Sequence, residues 1–136
     1  MTDLSTGPEE QRKTRIKILL VAAKDELGML LAEILGHEPF EVTVVESYGQ
    51  LGEVYDELSR KEYRMVLLTN NSLSPAHILE LVPEIKRQHQ RLKVVVMSGY
   101  RSDEFEQELE RCGIEAFVPL PFEPERLVVR TKELLQ

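Results

Sequence analysis

The groups able to do chemistry are few and sit at the ends of apolar runs. Met65-Val66-Leu67-Leu68 stops at the polar stretch Thr69-Asn70-Asn71-Ser72, and Leu92 to Met97 stops at Ser98-Gly99-Tyr100. The hydroxyls of Thr69 and Ser98 and the amides of Asn70 and Asn71 are the groups that could hold a small polar ligand. A neutral hydroxyl becomes a good nucleophile only beside a base, and the sequence supplies no such pair. His37, His77 and His89 lack metal-ligand spacing. Cys112 is the single cysteine, which leaves neither an internal disulfide nor a cysteine-based zinc cluster. Asp25 and Glu26 lie three and four residues beyond Ala22, but a helix cap and an acidic first turn account for them without a metal. The acids between Asp103 and Glu110 read as a solvated face, and no glycine-rich phosphate loop appears. The expectation is the mouth of an active site whose reactive groups are absent: no cofactor, no metal, no enzyme.

The elements that would position these groups follow from periodicity. Ile16 to Val21 is an apolar strand, ended by Ala22-Ala23-Lys24. Leu27, Leu30, Leu31, Ile34 and Leu35 recur at helical spacing over residues 26–35, and Gly36 closes that helix. Residues 41–45 form a β-branched strand, and Leu51, Val54, Tyr55 and Leu58 mark the next helix. Residues 65–68 form a strand buried on both faces. Ser74-Pro75 opens a helix whose apolar face is Ile78, Leu79, Val82 and Ile85, and which Pro83 should kink or break near Leu81. A strand over 92–97, a helix over 103–112 with Phe105, Leu109 and Cys112 inward, a brief strand at 116–118 and a helix over 123–135 complete the chain.

Five alternations of strand and helix imply right-handed crossovers and a parallel sheet covered on both faces. The fold class is α/β: a flavodoxin-like, doubly wound (βα)5 sandwich with a five-stranded parallel sheet in the order 2-1-3-4-5. That order gathers the carboxyl ends of strands one, three, four and five around one crevice. Its residues are Ala22, Ala23, Thr69, Ser98 and Leu120.

The chain has 136 residues, enough for one domain with a core over 15–136 after a polar, flexible tail at 1–14. Its 17 basic and 24 acidic residues give a net charge of −7, which disfavours nucleic acid and anionic membrane surfaces as partners. No apolar run approaches the roughly 18 residues of a membrane span. Cysteine usage and the absence of an apolar signal core near the start point to the cytoplasm.

Two stretches carry a family resemblance: Val95-Val96-Met97-Ser98-Gly99-Tyr100 and Ala116-Phe117-Val118-Pro119-Leu120-Pro121-Phe122, supported by Lys17 to Val21 and Val66 to Leu68. Residues 15–136 resemble the receiver domain of bacterial response regulators (the CheY-like family). The resemblance implies two metal-binding acids after strand one, a phosphate-accepting aspartate after strand three and a phosphate-pairing lysine after strand five. This sequence has Ala22 and Ala23, Thr69, and Leu120 at those positions. Methyl groups offer Mg²⁺ no oxygen. The hydroxyl after strand four is kept as Ser98, the switch aromatic as Phe117, and the proline that often follows a cis peptide as Pro121.

Phosphoryl transfer depends on a positioned metal and countercharge, and both are missing here. The resemblance therefore implies a degenerate receiver that signals by protein contact in a two-component context. Its partners would be proteins of a bacterial signalling pathway. The contact face of receivers, helix four with strand five and helix five, would carry Tyr100, Arg101, Phe105, Arg111, Arg126 and Arg130 here, with Phe117 and Pro121 beneath it. A homodimer through that face stays open. So do two rivals: a ligand binder or enzyme that reuses the crevice, and a receiver phosphorylated at an atypical residue. Leu120 beside Ala22 and Ala23 should leave the pocket small, apolar and filled.

Overall fold

The computed structural model describes residues 15–37, 39–47 and 51–136. The tail expected over 1–14 lies outside them. Five strands, β1 (Ile16–Val21), β2 (Phe40–Val45), β3 (Met65–Thr69), β4 (Lys93–Ser98) and β5 (Ala116–Pro119), alternate with five helices. The helices are α1 (Glu26–Leu35), α2 (Leu51–Arg60), α3 (Pro75–Gln88), α4 (Asp103–Arg111) and α5 (Pro124–Leu134). All strand pairs are parallel, and the order is β2-β1-β3-β4-β5, as the alternation predicts.

Side chains alternate across the sheet, and both faces are dry. Leu19, Val21, Val66, Leu68, Val94 and Val96 pack under α2, α3 and α4. Ile18, Leu20, Met65, Leu67, Val95 and Met97 pack under α1 and α5. This is why β1, β3 and β4 read as unbroken apolar runs. The outer strands differ: five of the six β2 residues and three of the four β5 residues are half-buried. No helix among the described residues is long and apolar enough to cross a membrane.

Four helix starts follow from local chemistry. The Asp25 carboxylate accepts from Gly28 N at 2.9 Å and caps α1. Ser74 caps α3 through His77 N at 3.1 Å, with Pro75 behind it. Ser102 caps α4 through Phe105 N at 3.3 Å. Helix α5 begins at Pro124 without a side-chain cap. At the far end of α4, Gly113 takes φ +90°, the left-handed value that a side chain resists.

The break expected near Leu81 does not occur. Helix α3 runs unbroken from Pro75 to Gln88 with Pro83 inside it. Pro83 is exposed, so the carbonyl it leaves without a helical donor can turn to water. Ile78, Leu81, Val82 and Ile85 are meanwhile fully buried and hold both halves of the helix to the sheet. Tertiary burial outweighs the local loss.

Element ends also move. β2 gains Phe40 and β4 runs from Lys93 to Ser98, while α4 and α5 are shorter by a residue or two. Thr69 is the last residue of β3, paired with Met97, and the turn begins at Asn70.

Candidate functional site

The chain runs outward from β1 to β2 and then crosses back to β3, so the sheet's switch point lies between β1 and β3. Ala22 and Ala23 follow β1 there and are buried. Thr69 stands opposite at the tip of β3, with no exposed surface. The Thr69 hydroxyl donates to the Val21 carbonyl oxygen at 2.8 Å and also meets Asn71 Oδ1. It is a donor between two oxygen acceptors, with no base to take its proton.

Asn71 does what no expectation assigned to it. Its Oδ1 accepts from Ala23 N at 3.2 Å, and its Nδ2 donates to Asp25 Oδ1 at 2.9 Å. The amide orientation is fixed by its neighbours: a backbone N–H requires an acceptor and a carboxylate requires a donor. One side chain therefore ties the end of β1, the tip of β3 and the cap of α1 together across the crevice. Lys24 N is held in turn by Glu46 Oε2 at 2.8 Å. Glycine is required beside this strap: a Cβ on Gly28 would lie 1.8 Å from the Ala23 carbonyl oxygen.

Ser98 is fully buried, and its Oγ accepts from Tyr100 N at 2.9 Å, the local backbone bond that strand-end serines make. Asn70 Oδ1 accepts from Gly99 N at 3.4 Å. Leu120 is half-buried and packs on the cluster that contains Ala22, while its N–H donates to the Ser98 carbonyl at 3.1 Å. The Leu120–Pro121 peptide is cis. The crevice is apolar at Ala22 and Leu120 and closed above by a polar strap that the sequence reading did not contain. Among the described residues no group of three His, Cys, Asp or Glu side chains could hold a metal. Asp25 serves as cap and strap.

The second set of expected residues forms a chain of rings. Tyr100, about half exposed, meets buried Phe105 edge-on with centroids 5.4 Å apart. Phe105 meets Phe117 edge-on at 6.4 Å. The line runs from the β4–α4 connection at the surface, through α4, to β5. Beyond it lies a cleft of about 580 Å³ beside β5, lined by Phe117, Pro119, Pro121, Phe122, Arg126 and Val129 among others. Val129 is exposed on its rim. The four arginines of this face pair with acids of their own face: Arg101–Glu106 at 3.0 Å, Arg111–Glu108 at 2.9 Å, Arg126–Glu123 at 3.1 Å and Arg130–Glu133 at 3.7 Å.

Half-buried Cys112 packs against the α2–α4 core, and burial together with Glu108 pushes its thiol pKa up. It is a packing residue, as its place in the sequence suggests.

Known structures share this fold. An orphan response regulator of H. pylori superposes with a TM-score of 0.78 at 22% identity, over 90% of this chain and 98% of that one. NtrX from Brucella abortus superposes with a TM-score of 0.73 at 26% identity, over 89% of this chain and 26% of that one. The chain has the fold of response-regulator receiver domains. Among curated proteins, the nitrogen assimilation regulatory protein NtrX of Azorhizobium caulinodans is 30% identical over 120 residues. That match takes in 88% of this receiver-like domain but only 26% of NtrX, so the domain spans about a quarter of that relative's length. No protein-family model matches the domain.

Proposed function

We propose that this receiver-like domain signals by protein contact and is neither a phosphate acceptor nor an enzyme. The observation that carries the reading is the Asn71 strap, with Ala22, Ala23 and Thr69 beneath it. Where a receiver needs oxygen ligands for a cation, this crevice offers two methyl groups and an amide already bonded on both sides. Thr69 and Ser98 are both fully buried, which also argues against phosphorylation at either hydroxyl in the folded state. The rival in which the crevice binds a small polar ligand loses much of its polar lining, because Thr69 and Asn71 donate within the chain and Ser98 Oγ already accepts from Tyr100 N.

The contact surface is the α4–β5–α5 face. Tyr100 and Val129 are exposed there, and the exposed ion pairs are worth little internally, about 0–1 kcal/mol each. Such pairs exchange readily for pairs across an interface, with a partner protein of the signalling pathway or with a second copy. The relatives' role as regulators points to a two-component setting for that contact.

Adding Mg²⁺ and then beryllofluoride to isotope-labelled protein tests this reading. The amide resonances of Ala22, Ala23 and Thr69 should stay in place. Saturable, stoichiometric shifts centred on Thr69 would overturn it.

A further inference from the structure

At the amino end of the sheet, opposite Thr69, lies a cleft of about 1000 Å³. It is bounded by the α2–β3 and α3–β4 connections. Six cations line it: Arg60, Lys61, Arg64, Arg87, Arg91 and Lys93. Glu62 is the one carboxylate in the lining. This is a concentrated positive site on a chain of net charge −7.

Helix ends explain part of it. α2 ends at Arg60 and α3 at Gln88, so Arg60, Lys61 and Arg87 complement the negative ends of two helices. Arg60 and Lys61 also each reach Glu57 at 3.7 Å, and Arg87 pairs with Glu84. Arg64, Arg91 and Lys93 lie outside the helices. Arg91 and Lys93 make no ion pair among the described residues, and Arg64 reaches only the Leu135 carbonyl, at 3.3 Å. Tyr63 adds no negative charge, because burial and its hydrogen bond to Glu57 push the phenol up to about 12. Arg64, Arg91 and Lys93, gathered on one cleft with no ion pair among the described residues, mark a site for an anion.

The cleft's construction decides which anion. No helix N-terminus points into it and no glycine lines it, so it lacks the backbone N–H cradle that compact phosphates use. Its charges stand on side chains spread over two connections, which suits carboxylates spread along a chain. Buried Leu58, Tyr63 and Leu92 give it an apolar floor. We infer that this cleft docks an acidic peptide segment of a partner protein. It lies roughly 15 Å from the Thr69 crevice, at about 3.3 Å per strand residue. The inference does not depend on the phosphate-free reading of that crevice.

Titrating labelled protein with a glutamate-rich peptide tests it. Saturable shifts should cluster at residues 58–64 and 87–93, and affinity should fall as salt rises from about 50 to about 300 mM. The variant R60Q/K61Q/R91Q removes three exposed charges and should bind about tenfold more weakly. R126Q/R130Q, on the other contact face, should bind as the parent does. Absence of clustered shifts, equal binding of a lysine-rich peptide, or tighter binding of ATP or a single-stranded oligonucleotide to the same residues would each overturn it. Matching circular dichroism spectra and melting curves of the parent and R60Q/K61Q/R91Q support the reading, and a tenfold loss that appears only with unfolding overturns it.

Discussion

The hydroxyl of Thr69 lies at the tip of β3, where the resemblance to receivers implies an acceptor carboxylate, and its surroundings suit a donor. Val21 O and Asn71 Oδ1 both present lone pairs to it. A carboxylate there would meet two acceptors and no water. Thr69→Asp, the change that nominally restores the acceptor, should therefore destabilise the domain by about 2–4 kcal/mol at pH 7. Such a buried carboxyl holds its proton more tightly folded than unfolded. Its penalty should thus shrink on acidification and grow as pH rises, which urea unfolding at pH 4 and pH 7 would read. Equal stability of variant and parent at pH 7 would show that the crevice opens to water.

Between elements, the first turn of α1 lies close against the backbone that leaves β1. Gly28 leaves room for the Ala23 carbonyl, and the same turn carries the Asp25 cap and the Asn71 strap. Gly28→Ala should cost about 1–3 kcal/mol by forcing α1 away from the strand, although alanine is the better helix former. A melting temperature at or above the parent's would contradict this close contact. Legibility in the sequence also divides at this scale. β1, β3 and β4 are plain because burial on two faces leaves no polar interruption, and Asp25, Ser74 and Ser102 announce their helices. Pro83 misleads because its local penalty is visible in the sequence, while the buried Ile78, Leu81, Val82 and Ile85 that override it are visible only in three dimensions. Asn71 stands two residues after Thr69 in plain view, but which way its amide turns is settled by residues 46 and 48 positions away. The basic cleft is hidden for the same reason: its cations come from two connections that the parallel β3–β4 pairing brings side by side.

For the molecule as a whole, the two halves of the core share one sheet. Strands β1, β3 and β4 send alternate side chains into each half, so neither layer can be lost alone. Lys86 and Glu115 add a tie across elements at 2.8 Å, with the Glu115 carboxylate also accepting from Val94 N at 2.7 Å. Unfolding should be a single cooperative step, with far-ultraviolet circular dichroism and tyrosine fluorescence giving coincident urea transitions. Transitions that separate would mean the layers melt independently.

The two margins of the sheet are unlike. β5 has four residues and closes on Pro119, which has no N–H to offer, whereas β2 runs six residues, Phe-Glu-Val-Thr-Val-Val, and pairs among the described residues only with β1. An unfinished ladder of that length and composition is a template for a further strand. Glu41 is its single charged residue and so the chief guard against stacking of whole molecules margin to margin. Crowding or neutralisation of Glu41 would thus turn a signalling domain into a seed for sheet growth, starting from the side farthest from α4 and β5.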